Sequence, residues 1–268
     1  MSDEGALTAG AEIVREQRGE IAWVTFDRPE ARNAFTYDMY TRLAALCGEL
    51  AADDATRVVV FQGRGDEAFV SGSDIRRVGE IRTREDALAY ERHIETAIGG
   101  VERLPKPTIA LIRGVAAGGG AAIALACDLR IAGENARFGV PIARTLGNTM
   151  SLRNLARMVE VVGPALTKDL LFTARLADAQ EALRAGAFSA VVPLDRIEER
   201  VTALAAQIAA NAPLTVRATK LGVLRIIEAA RERIGAGEDI VELAYTSDDF
   251  REGVAAFLEK RRPGWSGR

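Results

Sequence analysis

Three consecutive glycines, Gly118, Gly119 and Gly120, stand directly before an apolar, alanine-rich run in RGVAAGGGAAIALACDLRIAG, residues 113–133. Each glycine loses more backbone freedom on folding than any other residue, so three together weaken the chain locally unless something must come close to that backbone. A phosphate loop is one answer, because N–H groups at a helix start face an anion. The spacing argues against it: no Lys-Ser/Thr follows, and the G-x-G-x-x-G pattern breaks at Ile123 with no acidic residue placed for a ribose. Close helix-to-strand packing accounts for one or two glycines and leaves the third without a purpose. An oxyanion hole accounts for all three, with N–H groups at a helix start aimed at a carbonyl oxygen that gains negative charge. A second donor is available in EAFVSGSDIRRV, residues 67–78, where Gly72 sits between Ser71 and Ser73 after an apolar run. The plain alternative for that stretch is a strand-ending turn.

The elements around these glycines read as alternating strands and helices. EIVREQRGEIAWVTFDRP gives two strands about a turn at Arg18-Gly19-Glu20, stopped by Pro29. Met39, Leu43, Leu46 and Leu50 carry helical spacing, with Thr36 or Asp38 as N-cap. RVVVFQGRG is a continuous apolar run, the pattern of a strand buried on both faces. A helix over DALAYERHIETAIGGVERL, a strand over PTIALIRGV, the glycine helix and a strand over LRIAG repeat the alternation, which is an α/β architecture. From about residue 195 the chain turns to amphipathic helical runs with hardly a strand among them.

Composition narrows the partners. With 48% hydrophobic and 27% charged residues among 268, the chain is far from a disordered one. A net charge of -3 supplies no long-range field for nucleic acid or anionic lipid, so a small molecule is the expected partner. Cys47 and Cys127 lie in apolar patterns without a second Cys or His at ligand spacing, so buried thiols are expected and no metal. The opening MSDEGALTAG has neither the basic nor the apolar region of a secretory signal, and no run reaches membrane-spanning length; a cytoplasmic protein without membrane contact is the expectation.

Five stretches in order, DRPEARNAF (27–35), EAFVSGSDI (67–75), KPTIALIRGVAAGGGAAIALACDLRIAGENARFGVPIARTLG (106–147), FTARLADAQEALRAGAFSAVV (172–192) and SDDFREGVAAFLEKRRPGW (247–265), together resemble the crotonase, or enoyl-CoA hydratase/isomerase, superfamily. The resemblance implies a spiral of β-β-α units carrying a CoA-thioester site over residues 1–195. A helical C-terminal region over 196–268 would then form a homotrimer, or a hexamer of two trimers. It implies an acyl-CoA substrate, with coenzyme A arriving as part of that substrate and no other cofactor. By the same resemblance the hole is built from the N–H groups of Ser73 and Gly119. Ala31, Arg32, Ser71, Ser73, Asp74 and Ile75 would hold pantetheine and adenine, and Lys260 would reach a CoA phosphate; its bland alternative is a solvated helix charge.

The sequence departs from that pattern where the family's hydratases carry two glutamates: Ala122 and Ile142 stand at those positions. A positioned acid or base contributes about 10²- to 10⁴-fold in rate, so classical hydration would be slow. The following ARTLGNTMSLRNLARM also departs from the usual loop. Glu95 falls, by gap-free counting from Lys106-Pro107, where a related dehalogenase has a catalytic histidine; it is the first candidate substitute, against a pairing with Arg92 along the helix. It sits at the margin of an inward stripe of Tyr90, Ile94, Ala97 and Val101. His93 ranks below it, and Arg144, Thr145 and Asn148 are loop groups that could hold a substrate carboxylate or a water. The expected activity is therefore acyl-CoA chemistry through a stabilised thioester enolate, with lyase or isomerase outcomes. An acyl-CoA decarboxylase, a C–C hydrolase and a non-catalytic acyl-CoA-binding scaffold are the alternatives.

Overall fold

The computed structural model describes residues 12–268, so the acidic opening on which the cytoplasmic expectation leans lies outside the described residues. In chain order the strands are β1 (Ile13–Arg18), β2 (Ile21–Phe26), β3 (Val58–Gly63), β4 (Ala68–Val70), β5 (Thr108–Ile112), β6 (Val115–Ala117), β7 (Leu129–Gly133), β8 (Arg137–Gly139), β9 (Ala177–Asp178) and β10 (Ala190–Val192). The first seven helices are α1 (Tyr37–Ala52), α2 (Ile75–Val78), α3 (Arg84–Glu102), α4 (Gly119–Ala126), α5 (Ile142–Thr145), α6 (Leu152–Thr173) and α7 (Ala179–Arg184). The C-terminal region adds α8 (Ile197–Ala209), α9 (Pro213–Glu232), α10 (Glu238–Tyr245) and α11 (Asp248–Leu258).

Two sheets result, a six-stranded one in the order β1-β2-β3-β5-β7-β10 and a four-stranded one in the order β4-β6-β8-β9. The hairpin β1–β2 is antiparallel, and the remaining pairings of the large sheet are parallel. Each of three successive units sends one strand into each sheet and then a helix (β3-β4-α2, β5-β6-α4, β7-β8-α5), which is the expected β-β-α spiral. The run PTIALIRGV, which reads in the sequence as one strand, is two. Gly114, at φ 61, bends the chain between β5 and β6 so closely against the Glu67 carbonyl that no side chain fits.

The large sheet separates two apolar clusters, and the alternation of strand side chains decides which residue joins which. Ala22, Val24, Phe26, Val59, Phe61, Ala110 and Ile112 point toward α1, α3 and α4. Ile21, Trp23, Val58, Val60, Ile109 and Leu111 point the other way, where α8 covers them with Ile197, Val201, Ala205 and Ala209. Burial on both faces is why these strands read as unbroken apolar runs.

Thr36 caps α1, its side chain accepting from the Met39 N–H, and Thr83 with Asp86 forms a capping box on α3. The helical course of α6 is interrupted at Gly163, at φ 74, before Pro164. α10 is short, with Val241 and Tyr245 four residues apart on one face. It packs on α3 and contributes Val241 and Tyr245 to the core.

An ion network ties α3, α6 and α9 together. Arg157, 1% exposed, donates to Glu95 at 2.6 Å and 2.7 Å and to Glu102 at 2.7 Å. Arg231 donates to Glu102 and Glu160. Burial works against the Glu102 charge, but the two guanidinium groups outweigh it and hold its carboxyl at about 2. A lowered carboxyl stabilises the fold above its ordinary value of 4.5 and loses that contribution as pH falls toward 2. Removing Arg157 leaves buried Glu102 to Arg231 alone and half-buried Glu95 to the more distant Arg153, so Arg157→Ala is expected to cost about 3 kcal/mol by denaturant unfolding, the low end for breaking a buried pair. Arg84→Ala, which breaks only exposed pairs with Glu238 and Glu242, is expected to shift the midpoint barely at all.

Candidate active site

The glycine run sits at the wall of a cavity of about 430 Å³ enclosed by α3, α4, α5, the loop after β4 and the C-terminal helices α10 and α11. Each glycine has its own neighbour. Gly118 takes φ 54 and ψ -120 as the N-cap of α4, and a methyl group there would lie 3.5 Å from the Gly72 Cα. On Gly119 it would strike the Tyr40 hydroxyl and lie 3.0 Å from Ser73 Oγ, and on Gly120 it would strike the Val70 carbonyl. The two loops singled out in the sequence therefore meet, backbone against backbone. Tyr40 and Ser73 hydroxyls lie 2.8 Å apart at the junction, and burial keeps the Tyr40 phenol protonated.

Neighbouring bonds fix the loops. The Phe35 N–H donates to the Gly72 carbonyl at 2.9 Å, the Asp74 N–H to the Phe35 carbonyl at 2.7 Å and the Gly118 N–H to the Gly139 carbonyl at 3.1 Å. Among the described residues, neither the Ser73 N–H nor the Gly119 N–H donates to a backbone carbonyl of another loop or turn. Gly119 opens α4, where the first turn of a helix leaves its N–H groups free. Both residues line the cavity.

The walls are mostly apolar, with Ile75, Val78, Ile94, Ile98, Met150 and Phe257 among them, and the cavity has two carboxylates. Asp74 caps α2 and bonds Arg76, whose guanidinium holds it below the ordinary carboxylate range. Glu91, on α3, is different. It is 8% exposed, and its partner is the Tyr245 hydroxyl, which donates to it at 2.6 Å and receives the Asn148 amide at 3.0 Å. Burial, against the hydrogen bonds of Tyr245 and Ser151, pushes the Glu91 carboxyl up to about 7. A carboxyl near neutrality both accepts and returns a proton at working pH.

The sequence profile of enoyl-CoA hydratase/isomerase matches residues 16–268. The chain belongs to that family. It is 34% identical over 251 residues to the short-chain-enoyl-CoA hydratase of Clostridium acetobutylicum, covering 93% of this chain and 95% of that protein. It is 32% identical to the crotonyl-CoA hydratase of Syntrophomonas wolfei, covering 93% and 96%. A methylmalonyl-CoA decarboxylase solved in complex with 2-nitronate-propionyl-CoA superposes with a TM-score of 0.87 at 26% identity, covering 96% of this chain and 99% of that one. An enoyl-CoA hydratase/carnithine racemase from Magnetospirillum magneticum superposes at 0.78 with 34% identity, covering 96% of each chain.

Against the family expectations, Ala31, Ser71, Ser73, Asp74, Ile75 and Gly119 line the cavity together, as do Ala122 and Ile142. Thr145 and Asn148 line it too, whereas Arg144 does not. Arg32 is exposed and pairs with Glu67 at 3.5 Å, and Lys260 is exposed just beyond α11, so neither is a wall residue. His93 stacks on Tyr37 at 3.6 Å and its Nε2 lies 3.0 Å from the Tyr37 carbonyl, also outside the cavity.

Glu95 requires a correction. It does not reach the cavity, because Arg157 takes both of its carboxylate oxygens. The α3 carboxylate that lines the cavity is Glu91, one helical turn earlier. The sequence does carry a signal for it, since Ala87, Glu91, Ile94 and Ile98 form a row at helical spacing whose other members are apolar. Among the described residues no group of His, Cys, Asp or Glu is arranged to hold a metal ion, and no helix is long and apolar enough to cross a membrane.

Proposed function

We propose that this chain transforms an acyl-CoA thioester through its enolate, with the Ser73 and Gly119 N–H groups receiving the thioester oxygen and Glu91 moving the proton. The observation that carries the reading is one near-neutral carboxyl sharing an apolar cavity with two unpaired backbone amides. One acid/base and one hole suffice to move a double bond from the β,γ to the α,β position. Glu91 takes the α-proton, the electron pair flows to the thioester oxygen, and the same carboxyl delivers a proton to the γ-carbon as the enolate collapses. Hydration requires water to be activated at the β-carbon as well, and Ala122 and Ile142 offer no group for that. The site needs no cofactor beyond the coenzyme A of its substrate. Exposed Phe172, Leu214 and Ile226 support the homotrimer or hexamer that the family resemblance implies.

The similarity to the decarboxylase favours a second reading. There the bond to the departing carbon dioxide breaks, its electron pair enters the enolate, and protonated Glu91 delivers a proton to the α-carbon. Incubation with a 3-enoyl-CoA, crotonyl-CoA and methylmalonyl-CoA tests both readings, with conjugation followed by ultraviolet absorbance and water gain or carbon dioxide loss by mass. Fastest conversion of the 3-enoyl-CoA is expected. Preferential loss of carbon dioxide installs the second reading, and binding without conversion of any substrate overturns both in favour of a scaffold.

A further inference from the structure

A second cavity of about 370 Å³ lies between α3, the start of α6 and the loop joining α9 to α10. Among the described residues, Glu91 alone lines both this cavity and the acyl cavity. The rim is open to solvent, with Ile234 52% exposed and Ala236 exposed beside it. Of the other charged groups around this cavity, Glu95 is paired with Arg157 and Arg153, Arg153 also with Glu228, Arg231 with Glu102 and Glu160, and Glu238 with Arg84, whereas Arg92 and Glu232 stand exposed on the solvent side with no ion pair among the described residues. The open rim brings solvent to this cavity, and Ser151 lines it next to Glu91.

We infer that Glu91 exchanges its proton with solvent through this second cavity while an acyl thioester fills the first, so the hydrogen returned to carbon originates from water. The inference rests on the proton-moving role of Glu91 set out above. Glu91 takes a proton from the α-carbon as the electron pair moves to the thioester oxygen. The carboxyl proton trades with water on the outer side, and the new proton goes to carbon as the enolate collapses. The bound ligand closes the inner side with its own apolar bulk, which leaves the outer cavity as the route.

Butyryl-CoA, which can enolise but has no double bond to move, isolates the exchange step. In deuterium oxide the native protein is expected to wash deuterium into the α-carbon of bound butyryl-CoA. Ala236→Trp, which fills the outer cavity from an exposed position, is expected to slow that washout about tenfold with the dissociation constant unchanged. Ile234→Trp fills the same space from another exposed position and serves if the first variant folds poorly. Native-rate washout in a folded plugged variant overturns the inference alone, as does absence of washout in a native protein whose 3-enoyl-CoA conversion Glu91→Gln abolishes. Native-rate washout in Glu91→Gln overturns the proton-moving role itself, so the two failures are distinguishable.

Discussion

Glu91→Gln lowers turnover of a 3-enoyl-CoA by about 10²- to 10⁴-fold, the range a positioned acid or base supplies. Binding of the thioester is retained, because glutamine keeps the shape and still accepts from the Tyr245 hydroxyl. With the carboxyl pushed up to about 7, kcat/KM for double-bond migration rises with pH through that value, since the ionised form takes the first proton. A decarboxylation reads the opposite way and falls above it, because the protonated form acts. The same substitution alters stability with a defined sign. A folded-state carboxyl raised from 4.5 to about 7 binds a proton that the unfolded chain has already released, so native stability drops as pH climbs through that window. Above it the cost approaches about 3 kcal/mol, and glutamine escapes it. Denaturant unfolding at pH 5 and pH 8 should show the variant gaining on the native protein only at the higher value. A variant that stays fully active removes Glu91 from the chemistry.

Gly119→Ala is the second large effect. The added methyl collides with the Tyr40 hydroxyl and crowds Ser73 Oγ, which pushes the Gly119 N–H away from where the proposed hole needs it. Loss of one hole donor costs about 10²–10³ in rate. Combining the substitution with Tyr40→Phe deletes the atom struck, and part of the activity should return. Steady-state kinetics on both variants, with circular dichroism as the check on folding, reads the result. Native rates in the single variant would place the substrate carbonyl elsewhere.

The fold is legible in the chain because its strands are buried on two faces and its helices on one, giving unbroken and three-to-four patterns respectively. The proposed hole is legible too, since three successive glycines at a helix start signal a backbone under close approach, and Gly72, Tyr40 and Val70 are what approach it. The proposed proton-moving group is harder to see. Counting from Lys106-Pro107 picks out Glu95, but Glu91 and Glu95 share one face of α3, and which of them meets the cavity is decided by Arg157 on α6 and Tyr245 on α10, partners far away in the chain. Arg157 and Arg231 are likewise invisible as partners, because an ion network across 129 residues of chain has no local periodicity. Gly114 divides what looks like one strand between two sheets, and only the carbonyl of Glu67 gives the reason.

The sheet also works as a partition. On its inner side lie Glu91, the glycines whose backbones are closely approached, and the Ser73 and Gly119 amides. The outer cluster beneath α8 is aliphatic apart from Trp23 and contains no ionisable side chain. Mutational robustness can accumulate there without reaching the chemistry, which leaves the catalytic wall free to exchange its acids while the architecture persists.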